Sequence, residues 1–198
     1  MISTTAFTGA RGIDTDSFIT TSSAAALKQC NTDFVIRYLG SITQAELSAI
    51  LGAGLAFMPV TFANVYDPKV CLQHLSALSL PAGCTVWLDV EGVSMAPAAL
   101  IQAVTTWASV VKNAGYDPGI YVGAAALLTS QELFNLPVDR YWHGLSKVED
   151  RHGMFAEPAC GWTMYQCFPS VTWGGVWSDI DFVQADYLNR LPSWVVSS

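Results

Sequence analysis

Short apolar runs recur along the chain at intervals that leave room for a helix between them. Each run is bounded by glycine, proline or polar residues, a pattern typical of buried strands. The eight candidate strands span residues 9–14, 34–39, 55–61, 85–91, 119–123, 141–146, 162–167 and 180–183. The hydrophobic pattern therefore predicts strands that alternate with helices.

Several of the connections carry explicit helix signals. Thr43 and Glu46 have the spacing of a capping box, and the dipeptides at 67–68 and 96–97 put a proline where the first helical residue would lie. After the second of these prolines, apolar residues follow at intervals of three and four until Gly115, which suits a left-handed helix terminator. We therefore expect helices after the second, third and fourth candidate strands.

Alternation of strands and helices implies a parallel sheet with right-handed crossovers. Eight repeats within 198 residues, without a dinucleotide-binding fingerprint, favour a single closed (β/α)8 TIM-like barrel over an open doubly wound sheet. We assign the whole chain, residues 1–198, to this one domain. The stretches 147–161 and 169–178 have the composition of loops, so some helices in the C-terminal third are expected to be degenerate.

Composition and charge limit the classes of partner. The net charge is −7 and the nine Lys and Arg residues are scattered, so no basic stripe is available to neutralise phosphates and we expect no nucleic-acid partner. No apolar stretch has the length of a membrane-spanning helix, and residues 1–5 lack the features of a signal peptide. We expect a monomer without a membrane partner, made in the cytoplasm.

Five cysteines and three histidines follow no metal-binding spacing, so neither a metal nor another cofactor is predicted. An odd number of cysteines at irregular spacing is typical of buried free thiols. A disulfide between Cys71 and Cys84 is the alternative that the sequence leaves open.

Two carboxylates end the otherwise apolar fourth candidate strand. Side chains alternate between the two faces of a strand, so Asp89 and Glu91 point to one face and the valine and leucine neighbours point to the other. An unpaired carboxylate costs several kcal/mol to bury, so this pair predicts a polar cleft. General acid and base chemistry is the first function to consider for such a cleft.

Two further acids lie at related positions. Asp14 ends the first candidate strand and Asp181 lies in the eighth. The first and last strands of a closed barrel are neighbours, and the chemistry of barrel enzymes lies at the carboxyl ends of strands. Asp14 and Asp181 would then face the pair on the fourth strand across the barrel mouth. The alternatives are a turn or N-cap role for Asp14 and a hydrogen-bonded structural role for Asp181.

A cation and two tryptophans complete the predicted cleft. Arg37, inside the second candidate strand, either pairs with an acid of the cleft or forms a structural ion pair at the barrel rim. Most aromatic residues are expected to be core, but Trp173 and Trp177 lie in a glycine-rich stretch and are candidates for a sugar-stacking wall.

Other chemistries lack their residues. The sequence contains no G-x-S-x-G elbow, no glycine-rich phosphate loop with lysine, no H-E-x-x-H motif and no cysteine with an identifiable base. Paired carboxylates without a metal cluster, together with aromatic residues, fit glycoside cleavage best.

Taken in order, these residues resemble the landmarks of glycoside hydrolase family 25 lysozymes. The similar segments are Gly12-Ile13-Asp14, Trp87-Leu88-Asp89-Val90-Glu91, Gly115-Tyr116-Asp117-Pro118-Gly119-Ile120-Tyr121, Met164-Tyr165-Gln166 and Asp181-Phe182. With Arg37-Tyr38-Leu39 added, the chain resembles even more the related glycoside-hydrolase-like domain of unknown function 1906 of bacterial and phage proteins. The resemblance spans nearly the whole chain and implies an N-acetylmuramidase that cuts between N-acetylmuramic acid and N-acetylglucosamine.

The resemblance also implies the roles of single residues. Glu91 matches the general acid, whose pKa the neighbouring acids would raise, and Asp89 matches its companion carboxylate. The remaining cleft acids are Asp14 and Asp181, and the substrate-binding candidates are Arg37, Tyr38, Tyr121, Gln166, Trp173 and Trp177. The chain departs from the lysozymes in the residues after the first strand and on the second strand. A chitinase-like barrel would require an acid in place of Trp87.

The resulting hypothesis is a peptidoglycan-cleaving glycosidase, such as a phage endolysin that a holin or another route releases to the bacterial cell wall. Two alternatives use the same fold. One is a module that binds glycan without cutting it, and the other is a structural or assembly protein in which Asp89 and Glu91 are buried and satisfied by neighbours.

Overall fold

The computed structural model describes residues 1–62, 67–123, 128–144 and 158–198. The strands in these residues are β1 (Ile2–Thr5), β2 (Arg11–Asp14), β3 (Phe34–Tyr38), β4 (Ala56–Phe62), β5 (Thr85–Asp89), β6 (Asp117–Val122), β7 (Arg140–Gly144), β8 (Met164–Trp173), β9 (Val176–Val183) and β10 (Ser193–Val196). The helices are α1 (Thr21–Gln29), α2 (Gln44–Gly52), α3 (Pro68–Ala77), α4 (Pro97–Asn113) and α5 (Ser130–Phe134).

Strands β2 to β9 form a closed barrel, which confirms the predicted TIM-like fold. Neighbouring strands from β2 to β8 are parallel, and β9 pairs with both β8 and β2 to close the ring. The prediction of a wholly parallel sheet is wrong in one respect, because β9 runs antiparallel to both of its neighbours. A hairpin, and not a helix, connects β8 to β9.

This hairpin occupies the stretch 169–178, which the sequence analysis took for a loop. The two strands continue to a two-residue turn at Gly174 and Gly175, whose φ angles are +54° and +81°. Consecutive positive φ angles match the twist of a tight hairpin, and glycine adopts them without steric cost. The Gly-Gly pair was therefore a hairpin signal. The predicted loop 147–161 and residues 145–146 lie largely outside the described residues.

Strands β1 and β10 were not predicted. They pair antiparallel with each other, and Val195 of β10 pairs with Phe57 near the start of β4. The amide of Ser193 also donates to the hydroxyl of Thr85 at 2.8 Å. The two ends of the chain thus form a ribbon at the amino-terminal end of the barrel.

The predicted helix starts are confirmed. Thr43 caps α2 by accepting a hydrogen bond from the amide of Glu46 at 3.2 Å, and Pro68 and Pro97 are the first residues of α3 and α4. Gly115, with φ +90°, follows the end of α4 as expected. No helix in the described parts of the chain is long and apolar enough to cross a membrane.

The strands divide the apolar residues between two cores. One face of each strand packs into the barrel interior, as Phe34, Met58 and Trp87 do, and the other face packs against the helices, as Val35 and Leu88 do.

Cys71, Cys84 and Cys160 are buried, and the described residues contain no disulfide, so the Cys71–Cys84 alternative is wrong.

Gly119 tests the packing of the barrel interior. A Cβ atom on Gly119 would lie 2.5 Å from Cε3 of the buried Trp87 ring, so we expect Gly119→Ala to lower the free energy of unfolding by about 1–3 kcal/mol. Urea denaturation measures this change. Gly52→Ala is the control, because a Cβ there meets no atom within 4 Å apart from the local backbone of α2, and equal effects of the two substitutions would contradict the packing described here.

Candidate active site

The carboxyl ends of the parallel strands surround a cavity of about 270 Å³. Four carboxylates line it, Asp14, Asp16, Glu91 and Asp179. Its aromatic lining residues are Tyr38, Tyr121, Trp142, Phe168 and Trp177. Acids and aromatic rings therefore meet at the end of the barrel where the sequence analysis placed the chemistry.

The two acids after β5 lie in different environments. Asp89 is buried, and its carboxylate accepts hydrogen bonds from the Glu91 amide at 2.8 Å and from the Tyr38 hydroxyl at 2.9 Å. Burial raises the pKa of Asp89, although these two hydrogen bonds act against the rise. Glu91 is exposed at the edge of the cavity. Asp89 is thus held in place, whereas Glu91 is accessible from solvent.

The side chain of Glu91 lies over the end of β6. A Cβ atom on Gly123 would come within 2.8 Å of the Glu91 carboxyl carbon and of the Tyr121 ring, so a side chain there would displace the Glu91 carboxyl group. Burial raises the pKa of the Tyr121 hydroxyl, and the nearby Glu91 and Asp14 carboxylates raise it further. Tyr121 therefore stays a neutral hydrogen-bond donor in the cavity wall.

The pairing of β2 with β9 brings a second group of acids together. Asp14 lies opposite Asp179 in the register, and Gly12 lies opposite Asp181. Because β9 is antiparallel, Asp181 lies deeper in the barrel than the mouth and is fully buried. The expectation that Asp181 faces the Asp89–Glu91 pair across the barrel mouth is wrong, since Asp179 and not Asp181 lines the cavity.

Gln166 of β8 connects this group to Tyr121. Its amide nitrogen donates to Asp14 Oδ2 at 2.6 Å and to Asp179 Oδ2 at 3.3 Å, and its oxygen accepts from the Tyr121 hydroxyl at 2.5 Å. These bonds fix the orientation of the amide, because only the nitrogen can donate to carboxylates. The predicted substrate-binding residue Gln166 is thus engaged mainly with protein groups.

Asp14 and Asp181 form a coupled pair. Enclosure of its carboxyl group raises the pKa of Asp14 from an ordinary value of 3.8 to about 7, against the hydrogen bond from Gln166. Burial, and the neighbouring Asp14, raise the pKa of Asp181 well above its ordinary value. Two enclosed carboxyl groups that contact each other do not ionise together. The pair therefore retains a proton close to neutral pH.

Arg37 forms the structural ion pair that the sequence analysis gave as one of two alternatives. Its Nε lies 2.8 Å from Glu46 Oε1, both side chains are buried, and its Nη1 donates to the carbonyl of Thr15 at 2.5 Å. Glu46 Oε1 also accepts from the amide of Ile19 at 2.9 Å. Arg37 points to the helix side of β3, opposite in direction to Tyr38. It fixes the loop that carries Asp16 and does not line the cavity.

The two tryptophans predicted to form a sugar-stacking wall, Trp173 and Trp177, lie in different places. Trp177 lines the cavity and is 62% exposed. Trp173 lies on the outer part of the hairpin, where its indole donates to Thr32 Oγ1 at 3.0 Å and the Arg11 guanidinium lies 4.6 Å from its ring centroid. The hairpin end packs on α1, since a Cβ on Gly174 would meet Leu27. Trp173 is therefore not part of the cavity wall.

The sequence analysis did not select Asp16, Asp179 or Phe168. A signal for the two acids was present, because Asp16 follows Asp14 by two residues and Asp179 precedes Asp181 by two. That spacing is the same as in the Asp89–Glu91 pair, and it places both members of each pair on one face of an extended segment. Phe168 had no such signal.

Comparisons with known proteins agree on the fold. No family model matches the chain, and no curated protein matches it. Among solved structures, an uncharacterised protein from B. stearothermophilus is similar with a TM-score of 0.67 and 18% identity over 89% of this chain and 96% of that one. A bacterial lysozyme from Streptomyces coelicolor is similar with a TM-score of 0.60 and 14% identity over 90% of this chain and 93% of that one. The barrel described here is thus one that a lysozyme also adopts.

The raised pKa values of Asp14 and Asp181 make the free energy of unfolding depend on pH. Because the folded pKa of Asp14 lies above the unfolded value, the folded state gains stability below about pH 4 and loses it as the pH rises through about 7. We expect Asp14→Asn to make this loss smaller by the part that Asp14 contributes, while the part due to the buried Asp181 remains, as measured by urea denaturation between these pH values. Asp139→Asn, at the opposite end of the barrel, is the control. A loss that is equally steep in Asp14→Asn and in the wild type would contradict the assignment.

The buried ion pair predicts an asymmetric effect on stability. Arg37→Met should cost about 3–5 kcal/mol, because it leaves the charge of Glu46 buried without a partner. Addition of Glu46→Gln should recover part of this loss, since glutamine is neutral and its oxygen can still accept from the Ile19 amide. Urea denaturation of both variants measures this, and a double variant no more stable than Arg37→Met would show that the buried charge is not the cause.

Proposed function

We propose that this protein is a glycoside hydrolase that cuts the glycan strands of bacterial peptidoglycan, in the manner of an N-acetylmuramidase. The observation that carries the proposal is the cavity itself, where Glu91, two residues after the end of β5, shares an aromatic-lined space with Asp14 of β2 and Asp179 of β9, and Asp89 is held just below by the Tyr38 hydroxyl. Carboxylates on two sides of a cleft are what glycosidic bond cleavage requires. The similarity in fold to a bacterial lysozyme supports the proposal.

Glu91 is assigned the role of proton donor. It is the exposed member of the β5 pair and lies at the edge of the cavity, so it can reach the oxygen between two sugars. Its proton passes to this oxygen as the bond to the anomeric carbon breaks, and the departing sugar leaves as a neutral alcohol. Water then completes the hydrolysis and returns a proton to the carboxylate.

Asp89 has the supporting role. Its two hydrogen bonds hold one orientation of the carboxylate, and both donors favour its ionised form. A fixed negative charge at this position stabilises the positive charge that develops on the sugar ring, or orients the 2-acetamido group if that group acts as the internal nucleophile. Trp177 supplies an exposed ring on which a sugar can stack.

The assignment predicts the effect of an isosteric change at Glu91. Glu91→Gln keeps the shape of the side chain and removes the transferable proton, so we expect turnover of purified peptidoglycan to fall by about 10²–10⁴-fold. Mass spectrometry of the products identifies the new reducing-end sugar, which is N-acetylmuramic acid if the bond assignment is correct. Glu132→Gln is the control, because Glu132 lies on α5, accepts a hydrogen bond from the Thr129 amide and does not line the cavity. Wild-type rates in Glu91→Gln would refute the role of Glu91.

A second candidate function is glycan binding without cleavage. The observation that favours it is the buried position of Asp89, whose two oxygens both accept protein hydrogen bonds. The same digestion separates the two functions, because a binding module would retain peptidoglycan and release no reducing ends.

The proposed substrate also sets the place of action. We propose that the protein acts on the cell wall as a monomer and reaches it through a holin or another release route. Light scattering on the purified protein tests the oligomeric state, and lysis of cells with and without a permeabilised inner membrane tests the route.

A further inference from the structure

The cavity is small for a polymeric substrate. Its volume of about 270 Å³ lies just below the range of about 300–1,000 Å³ that is typical of sites for small ligands. A glycan strand that enters the cavity must therefore continue across the rim. The surfaces next to the cavity are where further sugar rings would make contact.

Phe62 forms such a surface. It is the last residue of β4. Side chains alternate along a strand, so Phe62 lies on the same face as Met58 and Val60, which point into the barrel. Because Phe62 ends the strand, its side chain faces the mouth of the barrel. Its ring is 47% exposed. An aromatic ring this exposed at the end of an inward-facing row lacks the burial that would explain its presence as core.

The ring of Phe62 is also fixed in position. It stacks on the ring of Tyr38 with a centroid distance of 4.0 Å and an interplanar angle of 11°. Tyr38 lines the cavity, and its hydroxyl donates to Asp89. One face of Phe62 is therefore supported by a side chain that is itself hydrogen-bonded to Asp89, and about half of the surface of Phe62 remains open to solvent.

The chemistry of this surface indicates its ligand. The cavity is lined by carboxylates, whereas Phe62 extends it with an apolar ring that carries no charge. Pyranose rings present a face of C–H groups that packs well on an aromatic ring, and their hydroxyl groups remain in water. A rigid ring also loses little conformational entropy when it binds.

We propose that Phe62, supported by Tyr38, is a second sugar-binding surface that receives an uncharged N-acetylhexosamine ring next to the one held in the cavity. It lies on the β4 side of the mouth, whereas Trp177 lies on the β9 side. The identity of the ligand as a glycan rests on the proposed function. The role of Phe62 is to bind longer strands and not to take part in bond cleavage.

Binding experiments in the Glu91→Gln background test this proposal without turnover. The probes are N-acetylmuramic acid, whose single ring occupies only the cavity, and a soluble polymeric peptidoglycan fragment, measured by isothermal titration calorimetry. We expect Phe62→Ala to weaken binding of the polymer by roughly tenfold, the equivalent of losing part of a buried aromatic face, and to leave binding of N-acetylmuramic acid unchanged. Phe62→Tyr should restore polymer binding, and Phe134→Ala, at a ring of 45% exposure on α5, should change neither.

Two results would overturn the proposal. Unchanged polymer binding in Phe62→Ala would show that the ring contacts no sugar, and equal weakening of both ligands would show that it acts by supporting Tyr38 and Asp89. Failure of the proposed function gives a different result. In that case the wild type releases no reducing ends from peptidoglycan, but it can still bind the polymer through Phe62. Absence of binding by every variant would refute the glycan ligand itself.

Discussion

The antiparallel pairing of β9 with β2 is the constraint on which the site depends. It closes the barrel, and it places Asp14, Asp179 and Asp181 side by side, with Asp14 and Asp179 on the cavity wall and Asp181 fully buried. Enclosed carboxylates repel one another and lose solvation, which raises their pKa values. The hydrogen-bonded ladder of the closed barrel opposes this repulsion, and a retained proton reduces it.

Gln166 and Tyr121 extend this arrangement across the barrel. The chain of hydrogen bonds from Tyr121 through Gln166 to Asp14 and Asp179 crosses from β6 through β8 to β2 and β9. Such a chain satisfies polar groups that burial would otherwise leave without partners, and it fixes their orientations. The polar side chains of the cavity wall on this side are therefore held by protein partners.

The β5 side of the cavity combines a fixed and an accessible carboxylate. The strand ends at Asp89, so Glu91 lies beyond it and is exposed to solvent. Asp89 is buried and accepts a hydrogen bond from the Tyr38 hydroxyl. The buried Arg37–Glu46 pair holds the adjacent loop at Thr15 and Ile19. One ion pair on the helix side thus positions a segment of the cavity wall without contacting the cavity.

The sequence by itself determined the features that depend on local periodicity. Alternation along a strand put Asp89 and Glu91 on one face, and capping residues and prolines marked where α2, α3 and α4 begin. The same alternation shows that Arg37 and Tyr38 face opposite sides of β3, but it does not say which side is the cleft. The tertiary structure decided that Arg37 meets Glu46, that Asp181 is buried while Asp179 reaches the mouth, and that Trp173 packs beside Arg11. These outcomes depend on the direction of β9 and on where its hairpin folds, and both are set by closure of the barrel, which joins residues far apart in the chain.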